Sequence, residues 1–317
     1  MAKNKRILVI RLSALGDVAI LEPVLRQRAQ QNPEVEFILA APGLLEPLFS
    51  DIPNLEFVST KKDKAWKMWK KLREYKPTMV ADVHGVLRTM GIRFLFGLSG
   101  IGSKTIDKER GKRKGLLREN NKDMTPLTPS WKRYDKVFDR CGLKGKTVMG
   151  DYCERKEAKR IGIAPFAQHR GKIYPLEKME RVVELLSQRE GTEVLLFGGK
   201  NESEQLAKWE EKYPRVKNMA GKLKFAQELD LIASLDVMIS MDSANMHFAS
   251  CKGVRVVSIW GATHPAAGFY GWRQNEEDAV MLPMECRPCS MFGNKPCKWG
   301  DYRCMNDIAP EVIVAKL

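Results

Sequence analysis

Strand-length apolar runs alternate with longer amphipathic stretches, and the alternation runs twice along the 317-residue chain. No other feature constrains the fold as strongly, because strand–helix alternation predicts a mostly parallel sheet covered by helices. In the first half, strands are predicted over residues 6–11, 36–41, 55–58 and 79–83. The first of these, RILVIR, is apolar toward both faces, as a central parallel strand must be. A helix is predicted over 18–31, where Val18, Leu21, Leu25 and Ala29 recur at helical spacing and Glu22, Arg26 and Gln30 occupy another face. The pattern weakens through a basic segment and the stretch DMTPLTPS, then returns as a helix over 131–141. Beyond a polar boundary around 149–157, strands are predicted over 160–164, 193–197, 237–240 and 255–260, with helices over 176–189, 202–212 and 225–234. Two α/β domains, 1–152 and 153–317, are therefore expected to face a central cleft, with ligands beyond the carboxyl ends of the strands.

Composition excludes several classes. Hydrophobic residues make up 44% and charged residues 29%, the balance of a globular chain rather than a disordered one. No run approaches the roughly 18 apolar residues of a membrane span. Lys3, Lys5 and Arg6 precede an apolar stretch like the opening of a signal peptide, but Arg11 interrupts it after four residues, so a cytoplasmic protein is expected. The net charge of +15 calls for an anionic partner: nucleic acid, anionic lipid or a phosphorylated substrate. Much of it lies in residues 104–122, where eight basic residues face three acidic ones. That segment is either a solvated loop or a binding loop. No helix-turn-helix, zinc-finger or RNP-like pattern accompanies it, and nucleic acid is not the expected partner.

Polar residues collect at the predicted strand ends. Ser13 and Asp17 follow the first strand, Asp82 and His84 the fourth, and Gln168, His169, Arg170 and Lys172 the first strand of the second half. GGKNE, SMDSANMH and GATHP close the later ones. All four histidines lie at these edges, yet no HExxH or facial-triad spacing is present, so a nucleotide or sugar pocket is expected rather than a metal site.

The motifs ILVIRLSALGDVAILEPVL, KIYP, FGGKNE and MDSANMHFASCKGVRVVSIWGATHP resemble, in order, those of glycosyltransferase family 9, the heptosyltransferases of lipopolysaccharide inner-core synthesis. The resemblance covers residues 6–304. It implies a GT-B architecture, with two Rossmann-like domains, the first holding the acceptor and the second the nucleotide sugar. It also implies inverting, metal-independent transfer of heptose from an ADP-activated donor, with no cofactor. In keeping with that, no Asp-x-Asp triplet occurs.

An inverting displacement needs a base for the acceptor hydroxyl. Asp17, on the strand-to-helix turn behind Gly16, matches the family's base; its other reading is a first-turn carboxylate facing the helix dipole. The departing diphosphate needs cations and backbone N–H groups. Lys172 matches the family's diphosphate-binding lysine, with Arg170 as its substitute. Asp242, Ser243 and Ala244 open a helix whose amides suit phosphate, and His247 is either a phosphate donor or a packed core histidine. Glu202 matches the ribose-binding acid, or caps the following helix. Ala244 stands where the family carries glycine, and GATHP replaces G-P-T-D-P, which makes His264 either a donor contact or a turn residue.

A lipopolysaccharide precursor carries phosphates and acidic keto-sugars at a membrane surface. The acceptor contacts expected are Ser13, Arg88, Arg93, Lys112, Arg113 and Lys114, with peripheral association at the inner face of the inner membrane as an extension. Cys286, Cys289, Cys297 and Cys304 have a spacing that suits either a zinc S4 site or a reduced, loop-ordering cluster. Three other readings remain open: a family 9 transferase using a different nucleotide sugar, a polyanion-binding Rossmann pair, and a dinucleotide oxidoreductase. The last is disfavoured because RLSALGD has one glycine where G-x-G-x-x-G needs three.

Overall fold

The computed structural model describes residues 5–61 and 63–317, so Lys3 lies outside the described residues. Two compact units are present. One comprises the described residues up to Glu109 together with Thr128–Met149; the other comprises Arg110–Leu127 and Gly150–Leu317.

The first unit runs β1 (Arg6–Ile10), α1 (Leu15–Gln31), β2 (Glu36–Pro42), α2 (Glu46–Phe49), β3 (Leu55–Thr60), α3 (Ala65–Arg73), β4 (Met79–Asp82), α4 (Leu87–Leu98) and β5 (Gly102–Thr105). After α5 (Arg110–Leu116), which groups with the other unit, α6 (Ser130–Arg140) returns to it. Its sheet is parallel throughout, in the order β3-β2-β1-β4-β5. Central β1 is apolar on both sides because helices cover both faces. Leu8, Ile10, Ile38, Val58 and Val80 pack with Met68, Leu72, Ile92 and Phe96 from α3 and α4.

The second unit runs β6 (Arg160–Ala164), α7 (Leu176–Ser187), β7 (Glu193–Leu196), α8 (Ser203–Lys212), β8 (Val216–Asn218), α9 (Phe225–Ala233), β9 (Val237–Met241), α10 (Ala244–Cys251), β10 (Arg255–Ile259) and β11 (Ala279–Val280), and ends on α11 (Arg303–Asn306) and α12 (Pro310–Val314). Its parallel sheet has the order β11-β10-β9-β6-β7-β8. The strand order reverses direction beside β1 in one sheet and beside β6 in the other. Such switch points open a crevice at the strands' carboxyl ends, where ligands bind in this class of sheet. Two successive parallel α/β units are the GT-B pattern expected from the sequence. No helix among the described residues is long and apolar enough to cross a membrane.

Three local corrections follow. Glu22, read with Arg26 and Gln30 as the polar face of an amphipathic helix, is buried and pairs with Arg26 Nε at 2.5 Å, while Arg26 reaches Asp51. Helix α1 begins at Leu15, so Gly16 lies in its first turn and residues 12–14 make the bend instead. The basic segment, expected in the first domain, is split: Lys104 is on β5, and 110–127 joins the second unit. The cause is apolar, since Leu116 and Leu127 bury against Ala266, Ala267 and Met291, and Leu127 N–H donates to the Ala266 carbonyl.

Candidate active site

Each switch point gathers charged side chains. In the first unit the chain leaves β1 through Arg11, which is buried yet charged. Its Nη2 pairs with Asp17 Oδ2 at 2.6 Å, its Nη1 donates to the Val83 carbonyl at 2.8 Å, and its guanidinium lies 5.6 Å from the Tyr134 ring centroid. Burial opposes the charge on Arg11, but Asp17, Tyr134 and Asp82 outweigh it and hold its pKa above the ordinary value. Asp17 also accepts from Ala14 N–H at 3.4 Å, closing the start of α1. Asp17 thus serves the helix start, and its side chain keeps a third of its surface in solvent.

Beyond β4, Asp82 is wholly buried. It accepts from His84 N–H and Gly85 N–H at 3.0 and 2.8 Å and pairs with Arg93 Nε at 2.9 Å. Arg93 is therefore the counter-ion of a buried carboxylate, with 23% of its side chain in solvent. Arg88, the other residue expected from α4, is exposed. His84 Nδ1 accepts from Leu12 N–H and its Nε2 lies 3.4 Å from Ser13 Oγ, which makes Nε2 the protonated nitrogen of the neutral ring. Burial, then Arg11 and Lys108, lower the His84 pKa to about 4. Ser13 itself is exposed.

Arg133, on α6, was not foreseen. It is buried, with Nη2 donating to Ser130 Oγ at 2.8 Å, while Nε and Nη1 have no hydrogen-bond partner among the described residues. Burial lowers its pKa, and the neighbouring charges of Tyr134, Glu109 and Asp17 oppose that drop. An anion beside it would satisfy both the charge and the open N–H groups.

In the second unit three loops converge beyond β6, β9 and β10. Lys172 Nζ, from the 3-10 turn Arg170–Lys172, pairs with Asp242 Oδ2 at 2.7 Å; Thr263 Oγ1 donates to the same oxygen at 2.8 Å. Asp242 is 3% exposed, so its charge depends on these two partners. Glycine permits the close docking: a Cβ on Gly171 would stand 2.8 Å from both the Ala262 Cβ and the Gly293 carbonyl oxygen. Arg287 locks the third loop by donating to the carbonyls of Trp260, Gly261, Thr263 and Leu282. Thr263 lies within the GATHP motif without standing out from it, and Arg287 carries no motif signal of its own; the contacts of both are set by the fold.

The remaining expected donor residues surround this cluster in different ways. Ser243 is the N-cap residue of α10, Ala244 its first residue, and His247, one turn on, is buried. Arg170 is exposed, with its guanidinium 4.6 Å from the Tyr302 ring centroid. Glu202 accepts from Gly199 N–H at 2.6 Å, and His264 Nδ1 accepts from Ala266 N–H at 3.0 Å to cap the turn Pro265–Ala267. His264 is thus a turn residue in the chain as it stands, while the Glu202 side chain closes the 3-10 turn Lys200–Glu202 and leaves α8 without a side-chain cap. Burial, then Arg287, lowers the His264 pKa.

Lys112, Arg113 and Lys114 lie on α5, which belongs to the second unit, whereas Ser13, Arg88 and Arg93 belong to the first. Cys286, Cys289, Cys297 and Cys304 line one pocket as free thiols. Among the described residues no three His, Cys, Asp or Glu groups are placed to hold a metal ion. Burial raises the Cys289 pKa and takes that of Cys304 to about 11.

A family model described as glycosyltransferase family 9 (heptosyltransferase) matches residues 116–299. The chain is 30% identical over 132 residues to lipooligosaccharide heptosyltransferase 2 of Campylobacter jejuni, a stretch covering 39% of this chain and 40% of that protein, so less than half of the relative's length is matched. In fold it is similar to E. coli ADP-heptose lps heptosyltransferase II, with a TM-score of 0.68 and 19% identity over 98% of this chain and 97% of that one. It is also similar to the glycosyl transferase family 9 protein from Veillonella parvula, with a TM-score of 0.72 and 19% identity over 98% and 95%. Over more than half of its length, including the Lys172–Asp242–Thr263 cluster, the chain matches one family, and it belongs to glycosyltransferase family 9.

Proposed function

We propose that this chain transfers heptose from ADP-heptose to a lipopolysaccharide inner-core acceptor of the Kdo–lipid A type, with inversion and without a metal ion. The observation that carries the reading is the Lys172–Asp242–Thr263 cluster at the switch point of the second sheet, in a member of this family. It puts an ammonium group beside an eight-residue helix that opens at Ser243, the combination that suits a nucleoside diphosphate.

In the proposed reaction the acceptor hydroxyl oxygen bonds to the anomeric carbon as the bond from that carbon to the diphosphate breaks. The hydroxyl proton passes to the Asp17 carboxylate, and the bonding electron pair leaves with the diphosphate. Arg11 and Ala14 N–H hold Asp17 in one orientation for that step. Lys172, Arg170 and the N-terminal amides of α10 stabilise the charge that grows on the leaving group, which removes the need for a divalent cation there. Asp242 and Thr263 position Lys172. Arg133, buried within the electrostatic influence of Asp17 and with two open N–H groups, supports an acceptor that carries acidic groups.

The test is transfer of heptose from ADP-heptose to a Kdo-bearing acceptor in the presence of EDTA, with Asp17→Asn as control. Transfer in EDTA that vanishes in the variant supports the reading. Transfer from a GDP- or UDP-sugar instead overturns the donor assignment, and a requirement for magnesium overturns the metal-free step.

A further inference from the structure

Helix α4 is apolar on two opposite sides. Ile92 and Phe96 face the core, while Leu87, Met90, Phe94 and Leu98, at i, i+3, i+7 and i+11, form a second stripe toward solvent. All four are more than half exposed, Leu87 at 81% and Leu98 at 72%. The stripe is about 16 Å long at the rise of an α-helix. A surface helix with this sequence leaves a contiguous apolar band in water, the mark of an interaction site. The neighbouring α3 packs into the same core through Met68 and Leu72, and Gly91 lets the helices approach: a Cβ there would stand 3.2 Å from that of Ala65. On its outer side α3 carries the half-exposed Trp66, with Lys67 and Lys70 ammonium groups each 5.9 Å from the indole centroid. Lys67, Lys70, Lys71, Arg73 and Arg88 are exposed on these two helices, and neither helix contains Asp or Glu.

We propose that the outer face of α3 and α4 docks the first unit onto an anionic lipid bilayer, with Leu87, Met90, Phe94 and Leu98 in the headgroup–acyl boundary. An apolar stripe beside an interfacial tryptophan and a set of cations with no acid among them is complementary to that surface. The long stems of Lys67 and Lys70 can follow the apolar surface while their charges reach phosphate. A second copy of the chain is the poorer occupant, because a two-fold interface here would set cations against cations. The inference rests on the surface alone and not on the transfer chemistry above.

The test is co-sedimentation of the full chain with vesicles of equal parts phosphatidylcholine and phosphatidylglycerol, and with phosphatidylcholine alone. Expected is binding to the anionic vesicles that falls as salt rises, and little binding to the neutral ones. Phe94→Ser and Leu98→Ser, both at exposed positions, should each weaken partitioning roughly tenfold, and Lys67→Gln and Lys70→Gln about fivefold each. The claim fails if the wild-type chain stays in the supernatant with both vesicles, or if the serine variants bind as well as wild type. It also fails if wild type is a dimer that those serine substitutions make monomeric. Heptose transfer to a soluble, delipidated acceptor reads the catalytic proposal separately: vesicle binding lost with transfer kept, or the reverse, shows which of the two is wrong.

Discussion

Replacing Lys172 by methionine separates a structural counter-ion from a nucleotide-binding cation. Asp242 is 3% exposed, and the 2.7 Å contact to Lys172 is its ion pair. Removing the cation leaves a buried carboxylate with only the Thr263 hydroxyl, at a cost of about 3 kcal/mol, the low end for breaking a buried pair because the lysine side chain keeps 15% of its surface in water. For a unit of this size that is a fall in Tm of roughly 6–12 °C. The double variant Lys172→Met with Asp242→Asn removes the orphaned charge and should regain most of the loss. Nucleotide binding responds differently. A charge-assisted contact contributes about 2 kcal/mol, so both variants should bind ADP roughly thirtyfold more weakly. At an ADP concentration of 100 times the wild-type Kd the stabilisation is about 2.7 kcal/mol. Under the same conditions the variants keep about 0.9 kcal/mol, a thermal shift of roughly 2–4 °C instead of 5–11 °C. The assay is a thermal melt of the three proteins with and without ADP. A double variant that recovers both stability and the full ADP shift refutes the binding role, and a single variant as stable as wild type refutes the buried pair.

Asp17→Asn should lower transfer by about 100- to 10,000-fold while leaving the ADP shift intact, as removal of a general base requires; an equal loss of nucleotide binding would point to a purely structural role. Arg28→Ala, at a fully buried guanidinium that pairs with Asp135 at 2.6 Å, should cost about 3–5 kcal/mol in chemical denaturation. The His84 pKa is lowered to about 4, below its ordinary 6.5, so the unfolded chain takes the proton first as pH falls. The associated stability is fully present above pH 6.5, declines between 6.5 and 4, and amounts to at most about 3 kcal/mol. The difference between wild type and His84→Asn in denaturation midpoint should therefore shrink as pH drops through that window, and a constant difference would contradict the assignment. Neutralising Lys112, Arg113 and Lys114 should raise the acceptor KM with nucleotide affinity unchanged; equal weakening of both would remove their acceptor role.

The long central elements were legible because their signal is periodic. Residues 160–164 are a strand over that full span, and RILVIR is the buried strand its two apolar faces required. Edge strands β5, β8 and β11 were not, since GSKT, VKN and AV are short and carry no apolar alternation. Helix α1 was read as amphipathic from Glu22 and Arg26, but a carboxylate buried by an ion pair looks identical in sequence to one in water. For the site, the motifs placed Asp17, Lys172 and Asp242 at strand ends, which is where the switch points fall. Arg11 was seen only as a break in an apolar run, although a charge at the end of a buried strand must find a partner, and Asp17 is six residues on. Arg133 and Arg287 carry no local signal, because the charges that act on Arg133, those of Glu109 and Asp17, and the Trp260, Gly261 and Thr263 carbonyls that Arg287 holds lie elsewhere in the chain. The basic segment misled for a related reason: its charges are conspicuous, but Leu116 and Leu127 decide where it packs.

The central claim is that the second unit binds an adenosine diphosphate sugar through the Lys172 cluster without a metal ion. The most direct test is a thermal-shift panel with ADP, GDP, UDP, CDP and NAD, each with and without magnesium. Selective stabilisation by ADP, equal in both conditions and lost in Lys172→Met, is the predicted result. A preference for another nucleotide, a shift that needs magnesium, or no response to any of the five contradicts it.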